Sequence, residues 1–314
     1  MLLYALQRIG LSILILITSM VMLFTVLKFI PGDPATIMLG SRASAEMRAR
    51  ITEELGLNDP IYVQLGTFLG RLLHGNLGND TWSQRPVAQL VLENLPYTLI
   101  LIAVGLGWAA LIGIPLGCYS AVRRNSFIDK FSAVVSVGTI SIPSFVVAIY
   151  AILLFAIELD WLPIIGAGET GDLGDQALHL VMPGFALGLG WVGYLSRIVR
   201  ASMLEVMGEN HIRTARAFGL PEFTIVKSYA LRIAILPTIT LLAIAIGGLL
   251  SSAVFVEAIF ARPGIGKLIV DAASMRNFPV VQGGVLTTVA LFALTMPIAD
   301  LLVAWLDPRV RATL

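Results

Sequence analysis

The sequence predicts an all-α integral membrane protein with six membrane-spanning helices, and three observations carry that prediction. The 314 residues are 57% hydrophobic and 13% charged, with mean hydropathy well above zero, a balance outside that of ordinary soluble domains. The apolar residues gather in runs long enough to cross a bilayer, which takes about 20 residues. Lys and Arg fill some of the intervening loops and are missing from others, the asymmetry of a multi-pass topology. A net charge of +1 argues against a nucleic-acid binder. The single cysteine, Cys118, lies inside an apolar run, which excludes a disulfide framework and a cysteine metal cluster.

The first span is residues 9–27, flanked by Arg8 and by Lys28, whose long stem can reach towards the headgroups. Ala43-Ser44-Ala45 has the form of a signal cleavage site, but the apolar core is longer than a signal peptide's and the site lies too far beyond it, so the reading is an uncleaved span. The next stretch is too polar to cross a membrane and too long for a turn. It begins with Pro31-Gly32-Asp33-Pro34-Ala35, reads as helix over 46–55 up to Gly56, and turns at Gly75, Gly78 and Asn79. The resulting division is a first span in 1–30, a small helical cap outside the membrane in 31–94, and a core in 95–314.

Five further spans centre near Ile102, Val147, Leu187, Ala245 and Leu291. Gly113 with Gly117, and Gly184 with Gly188, have the spacing that lets helices approach closely in lipid. Pro115, Pro143, Pro183 and Pro297 are expected to kink or start spans. Arg123, Arg124 and Lys130 lie between spans two and three. Arg197, Arg200, Arg213, Arg216, Lys227 and Arg232 lie between four and five, while the loop with Glu158, Asp160, Glu169, Asp172 and Asp175 has no Lys or Arg. The positive-inside rule places the basic loops in the cytoplasm and the acidic one outside, with both termini inside. Arg309 and Arg311 agree, and the loop with Arg262, Lys267 and Arg276 dissents mildly.

Residues 204–237 are more than a link between two spans needs. Glu209 and Arg213 stand four apart in the favourable order, and Ile212, Ala215 and Phe218 give the first helix an apolar side. Gly219 ends it, since glycine takes the left-handed conformation at little cost, and Pro221-Glu222 suits the start of a second helix. That helix repeats Ile225, Tyr229, Ile233 and Leu236. A DNA-binding helix-turn-helix has similar small-residue spacing, but apolar spans close in on both sides here.

At these residues the stretch resembles the coupling loop of the inner-membrane permeases of bacterial ABC importers, in the form of the dipeptide, oligopeptide and nickel branch. Ala215, Gly219 and Leu231 fall on that loop's spacing, in the words RTARAFGL and ALR. Arg213 and Arg232 replace the wider family's glutamate and proline, as that branch does, and Phe218 replaces a lysine. PGDPA, LGLNDPIYVQ, GNLG, NSFID, SIPSF, DWLPIIG, VEAIFARPGIGKL, RNFPVVQG and LDPRVR follow in family order, so the resemblance covers nearly the whole chain. It implies the type I importer permease fold and alternating access. The partners it implies are a second permease, two cytoplasmic ATPase subunits and a periplasmic solute-binding protein, with no nucleic acid. ATP and magnesium belong to the ATPases, and this chain is not itself expected to be an enzyme. Glu205, Thr214, Ala215, Ala217, Gly219 and Leu231 are the expected coupling positions, and Asp300 is a candidate for the translocation path, with an interfacial structural role as the alternative.

Other chemistry finds little support. Gly264-Ile265-Gly266-Lys267 mimics a phosphate loop, but Ala261 stands where its first glycine belongs and Leu268 where Ser or Thr should hold magnesium. His74, His179 and His211 are scattered, with no metalloprotease or nucleophile-elbow motif. Glu257 is read as structural. The solute is open: peptides by resemblance, with nickel, glutathione or opine-like compounds as alternatives. A secondary transporter would show inverted repeats, and a membrane scaffold would move nothing.

Overall fold

A computed structural model describes residues 2–29, 46 and 59–306. In chain order its helices are α1 Leu2–Phe29, α2 Ile61–Leu73, α3 Val87–Val122, α4 Phe127–Ser141, α5 Ser144–Ala151, α6 Leu173–Val206, α7 Asn210–Ala217, α8 Glu222–Thr224, α9 Leu231–Ala234, α10 Leu236–Ile259, α11 Ile265–Ser274 and α12 Phe278–Leu306. Two π-helical turns interrupt the series, Ile152–Glu158 after α5 and Ile225–Ala230 between α8 and α9. No strand occurs among the described residues. Beyond residue 46 the expected cap helix at 46–55 lies outside them, as do the PGDPA segment, Arg309, Arg311 and the side chains of Arg8, Lys28 and Asp300.

Helices α1, α3, α6, α10 and α12 each hold a window long and apolar enough to cross a membrane. A sixth candidate, around Val147, is a pair of helices: α4 and α5 with its π turn meet at 97° at Pro143, where a kink or a start is expected. Pro143 supplies the cause. It has no N–H to give, and its ring forces Ile142 into extended backbone at φ −89°, ψ 119°. By contrast Pro115, Pro183 and Pro297 stay inside continuous helices, where neighbouring helices can re-satisfy the backbone.

The two glycine pairs meet at one place, the crossing of α3 with α6. A Cβ on Gly117 would stand 2.5 Å from the Ser196 carbonyl oxygen, and one on Gly113 2.9 Å from that of Val192. From the other side, a Cβ on Gly184 would stand 2.8 Å from Val104. Trp108 Nε1 donates across the crossing to the Gly184 carbonyl at 2.7 Å. Around this contact Leu101, Ile102, Met182, Leu187, Leu249 and Phe260 form the main core. Helix α1 stands at the margin, bonded by Ser12 Oγ to the Ala293 carbonyl of α12 at 3.0 Å and stacked through Phe24 on Phe68 of α2. Most of its side chains are exposed and apolar, as a lipid-facing helix requires.

Candidate functional site

The loop joining α6 to α10 folds back onto the bundle. Ile212 and Ala215 of α7 are buried against Val199, Met203 and Val206 at the end of α6, together with Ile225, Ala230 and Ala234. Phe218, expected on that apolar side, is instead 81% exposed. It is the residue after the last helical one, so the helix has stopped before its side chain can turn inward. Glu209 reaches the His211 ring rather than Arg213, with Oε2 to Nδ1 at 3.0 Å. Its backbone is extended at the N-cap, so it never joins the i, i+4 face.

Gly219 ends α7 with φ at +74°, the left-handed value, and Pro221 opens α8. Arg216 and Glu222 then clasp the two helices across the turn, Nη2 to Oε1 at 2.7 Å and Nε to Oε2 at 3.2 Å. The Arg216 hydrogen bond holds the Glu222 carboxyl below its usual range. After α8 the buried positions run Ile225, Ala230, Ala234 and Thr238, while Tyr229 and Ile233, the residues of a regular repeat, are exposed. The π turn adds a residue to one turn and so advances the buried face by one position. Beside this helix, Pro115, Cys118 and Tyr119 of α3 with Phe223, Val226 and Leu231 line an open groove of about 410 Å³.

Five of the six expected coupling positions therefore gather at one end of the bundle with outward access. Thr214, Ala217 and Gly219 are exposed, Leu231 is half-buried beside the groove, and Glu205 is exposed on the last turn of α6. The sixth, Ala215, is buried beneath them and anchors α7. Asp300 lies on α12, far along the chain from this loop.

Residues 113–312 match the family described as the binding-protein-dependent transport system inner membrane component, and residues 1–102 match the N-terminal region of the same membrane components. The chain belongs to this family. A dipeptide transport system permease of Alkalihalophilus pseudofirmus is 33% identical across 99% of this chain and 100% of its own. A glutathione transport system permease of Pectobacterium atrosepticum is 35% identical across 99% of each. A putative peptide transport system permease of Brucella abortus is 37% identical across 98% of each. An inward-facing crystal form of the MetNI methionine ABC transporter shares the fold, with a TM-score of 0.58 over 70% of this chain and 97% of that one, at 19% identity. The chain is thus a multi-pass inner-membrane permease of the type I importer fold.

Away from the loop the permease holds two polar centres that the sequence did not disclose as such. Asp129 in the first turn of α4 receives Arg200 of α6, Nε to Oδ1 at 2.5 Å and Nη2 to Oδ2 at 2.8 Å, and also the Asn125 N–H at 2.9 Å. The Asp129 side chain is 5% exposed and that of Arg200 32%. Removing one partner strands the other, so Arg200→Ala is expected to destabilise the protein by about 3 kcal/mol, the low end for a broken buried pair because Arg200 is partly exposed. Thermal unfolding of Arg200→Ala, Asp129→Ala and the double variant would check this: the double variant should lose less than the sum. Strictly additive losses would show that the pair is energetically idle. The signal available in sequence was an acid beside a basic loop, but 71 residues separate the partners.

The second centre is Glu257, fully buried at the end of α10. Thr98 Oγ1 donates to its Oε1 at 2.7 Å, and the N–H groups of Gly266 and Lys267 donate to its Oε2 at 2.8 and 3.2 Å. These bonds accord with the structural reading of Glu257 and account for the phosphate-loop mimic. The first amides of α11 are filled by the chain's own carboxylate, the anion a helix N-terminus favours.

Proposed function

We propose that this permease imports short peptides, working as one of two membrane subunits driven by two ATPase subunits and supplied by a periplasmic solute-binding protein. Peptide and glutathione transport by similar permeases supports the solute class. ATP and magnesium are assigned to the ATPases, and the α6–α10 loop faces the cytoplasm, as do both termini, in line with the basic loops. Segment 31–94 is assigned to the periplasmic side.

One observation carries the coupling assignment. The α7–Gly219–α8 unit is clasped by Arg216–Glu222 and seated through Ile212 and Ala215, while its other face is exposed. A push on that face moves the end of α6 as a rigid body, which is how packed contacts transmit a domain movement. Thr214, Ala217, Gly219 and Glu205 would meet the ATPase, Ala215 and Leu231 would hold the unit to the bundle, and Asp300 is assigned to the solute path.

Gly219→Leu tests the loop. No atom lies within 4 Å of the added Cβ, so the chain should accumulate normally. The left-handed backbone then costs about 1–2 kcal/mol, enough to shift the turn and lower coupled uptake about 5- to 30-fold. Unchanged uptake and unchanged stimulation of ATP hydrolysis, at normal protein level, would remove the loop from the coupling role. Uptake of a labelled dipeptide, glutathione and nickel, in cells with the gene deleted and restored, tests the solute. Loss of dipeptide uptake supports the peptide reading; loss of glutathione or nickel uptake alone moves the solute and keeps the mechanism.

A further inference from the structure

Inside a bilayer every backbone polar group needs a partner in the protein or in a water-filled cavity, and irregular backbone facing lipid is not tolerated. The break between α4 and α5 is tested by that rule because of its depth. Asp129 reaches Arg200 near the end of α6, Ser132 lies against Ser196, and Thr139 lies against Gly193 and Gly190. Beyond the break, Val147, Ala148 and Ala151 pack with Met182, Ala186 and Leu187. The break is therefore level with residues 188–190 of α6, about 25 Å from either end of that helix at 1.5 Å per residue. The break thus lies beside the middle of a helix long and apolar enough to cross the membrane.

At that depth the backbone is open. Ile142 returns no N–H to the last turn of α4, and no side chain caps the start of α5. No backbone N–H from beyond α4, among the described residues, reaches the carbonyls of 138–141. Ser141 offers no relief, since its hydroxyl turns back to the Val137 carbonyl at 2.9 Å. Ser141, Ile142 and Pro143 are all exposed, so the chain itself does not cover the gap.

We propose that the break at 141–144 lines the water-filled path taken by the solute, and that its open carbonyls accept hydrogen bonds from a polar solute carrying ammonium or amide N–H groups. The negative dipole end of α4 and the positive, uncapped end of α5 meet at this point, which suits a solute carrying both donors and acceptors. The proposal deepens the importer reading and rests on it. A second membrane subunit could also cover the break, but it would have to bring several donors and acceptors to one point in the bilayer. Water supplies them wherever a cavity reaches.

Cysteine labelling of the assembled transporter in membrane vesicles tests this, and a Cys118→Ser background removes the one native thiol. Ser141→Cys and Ile142→Cys are compared with Leu14→Cys, an exposed position on the lipid-facing α1. The probes are a charged methanethiosulfonate and an apolar maleimide. The expected result is reaction of both break variants with the charged reagent at least 10-fold faster than Leu14→Cys, a rate that changes with ATP and vanadate, and protection by a transported peptide. Ser141→Cys replaces one small side chain by another, so it remains informative if Ile142→Cys fails to accumulate. Reaction with the apolar reagent alone would put the break against lipid. Resistance to both reagents in every nucleotide state would put it under a neighbouring subunit; either result overturns the proposal. Charged-reagent access that no nucleotide alters would uphold the cavity while counting against the ATP-driven reading, so the two ideas fail separately.

Discussion

Gly188→Leu is expected to leave little folded permease in the membrane, whereas Gly107→Ala is expected to leave the amount unchanged. Both positions are glycines within helices of the same crossing, and only their surroundings differ. A Cβ on Gly188 would stand 2.2 Å from the Gly105 carbonyl oxygen and 2.5 Å from Trp108 Nε1. The first obstacle is backbone and cannot swing aside. Relief requires α3 and α6 to separate, which breaks the Trp108–Gly184 bond and opens the contacts at Gly113 and Gly117. Overpacking of this kind costs about 3 kcal/mol, and more where backbone must move, against a total stability on the order of 5–15 kcal/mol. Around Gly107 no atom lies within 4 Å of the added methyl, and alanine is the better helix former. The amount of monodisperse protein extracted from membranes separates the two. Normal recovery of Gly188→Leu would show that the crossing is not the close contact described.

Glu257→Ala should be nearly as damaging, with Glu257→Gln in between. The carboxylate ties the end of α10 to the start of α11 and to Thr98 of α3. Alanine leaves the buried amide of Gly266 without an acceptor, at about 1–3 kcal/mol, strips the half-buried Lys267 amide at a smaller cost, and takes the acceptor of Thr98 as well. Glutamine keeps the shape and one acceptor, so about half of the loss should return. The same knot makes a second expectation: a Cβ on Gly264 would stand 2.2 Å from the Glu257 carboxyl, and one on Gly266 2.4 Å from Val254 Cα. Gly264→Ala and Gly266→Ala should therefore lower the melting temperature in detergent as Glu257→Ala does. A melting curve for Glu257→Ala that overlays the parent's would dispose of the knot.

The legible parts of the candidate site were those written in short-range chemistry. Gly219 followed by Pro221 states a helix end and a helix start within three residues, and α7 and α8 follow it. The error at Tyr229 and Ile233 has a different origin, since a period of 3.6 was assumed through a segment that makes a π turn. One added residue rotates the whole downstream face, so Ala230 and Ala234 are buried in their place. Small alanines send almost no hydropathy signal, and a close helix contact selects them for that smallness. Pro143 announced a kink or a start, but not the 97° bend, because proline fixes one φ and leaves the direction of the next helix to packing. The Arg216–Glu222 clasp was equally hidden: the two stand six apart, no helical pairing distance, and meet because Gly219 reverses the chain between them.

By itself the sequence determined the class, the apolar runs, the glycine pairs and the helix–Gly219–helix turn, because hydropathy, small-residue spacing and turn chemistry act over a few residues and need no partner. Only the tertiary structure decided which helices those glycines join, which carboxylate fills the mimic of a phosphate loop, and how sharply the chain bends at Pro143. Those outcomes depend on which groups packing brings together, some of them more than a hundred residues apart as Thr98 and Glu257 are, and the partner that satisfies a buried polar group is chosen by the packing of the whole bundle.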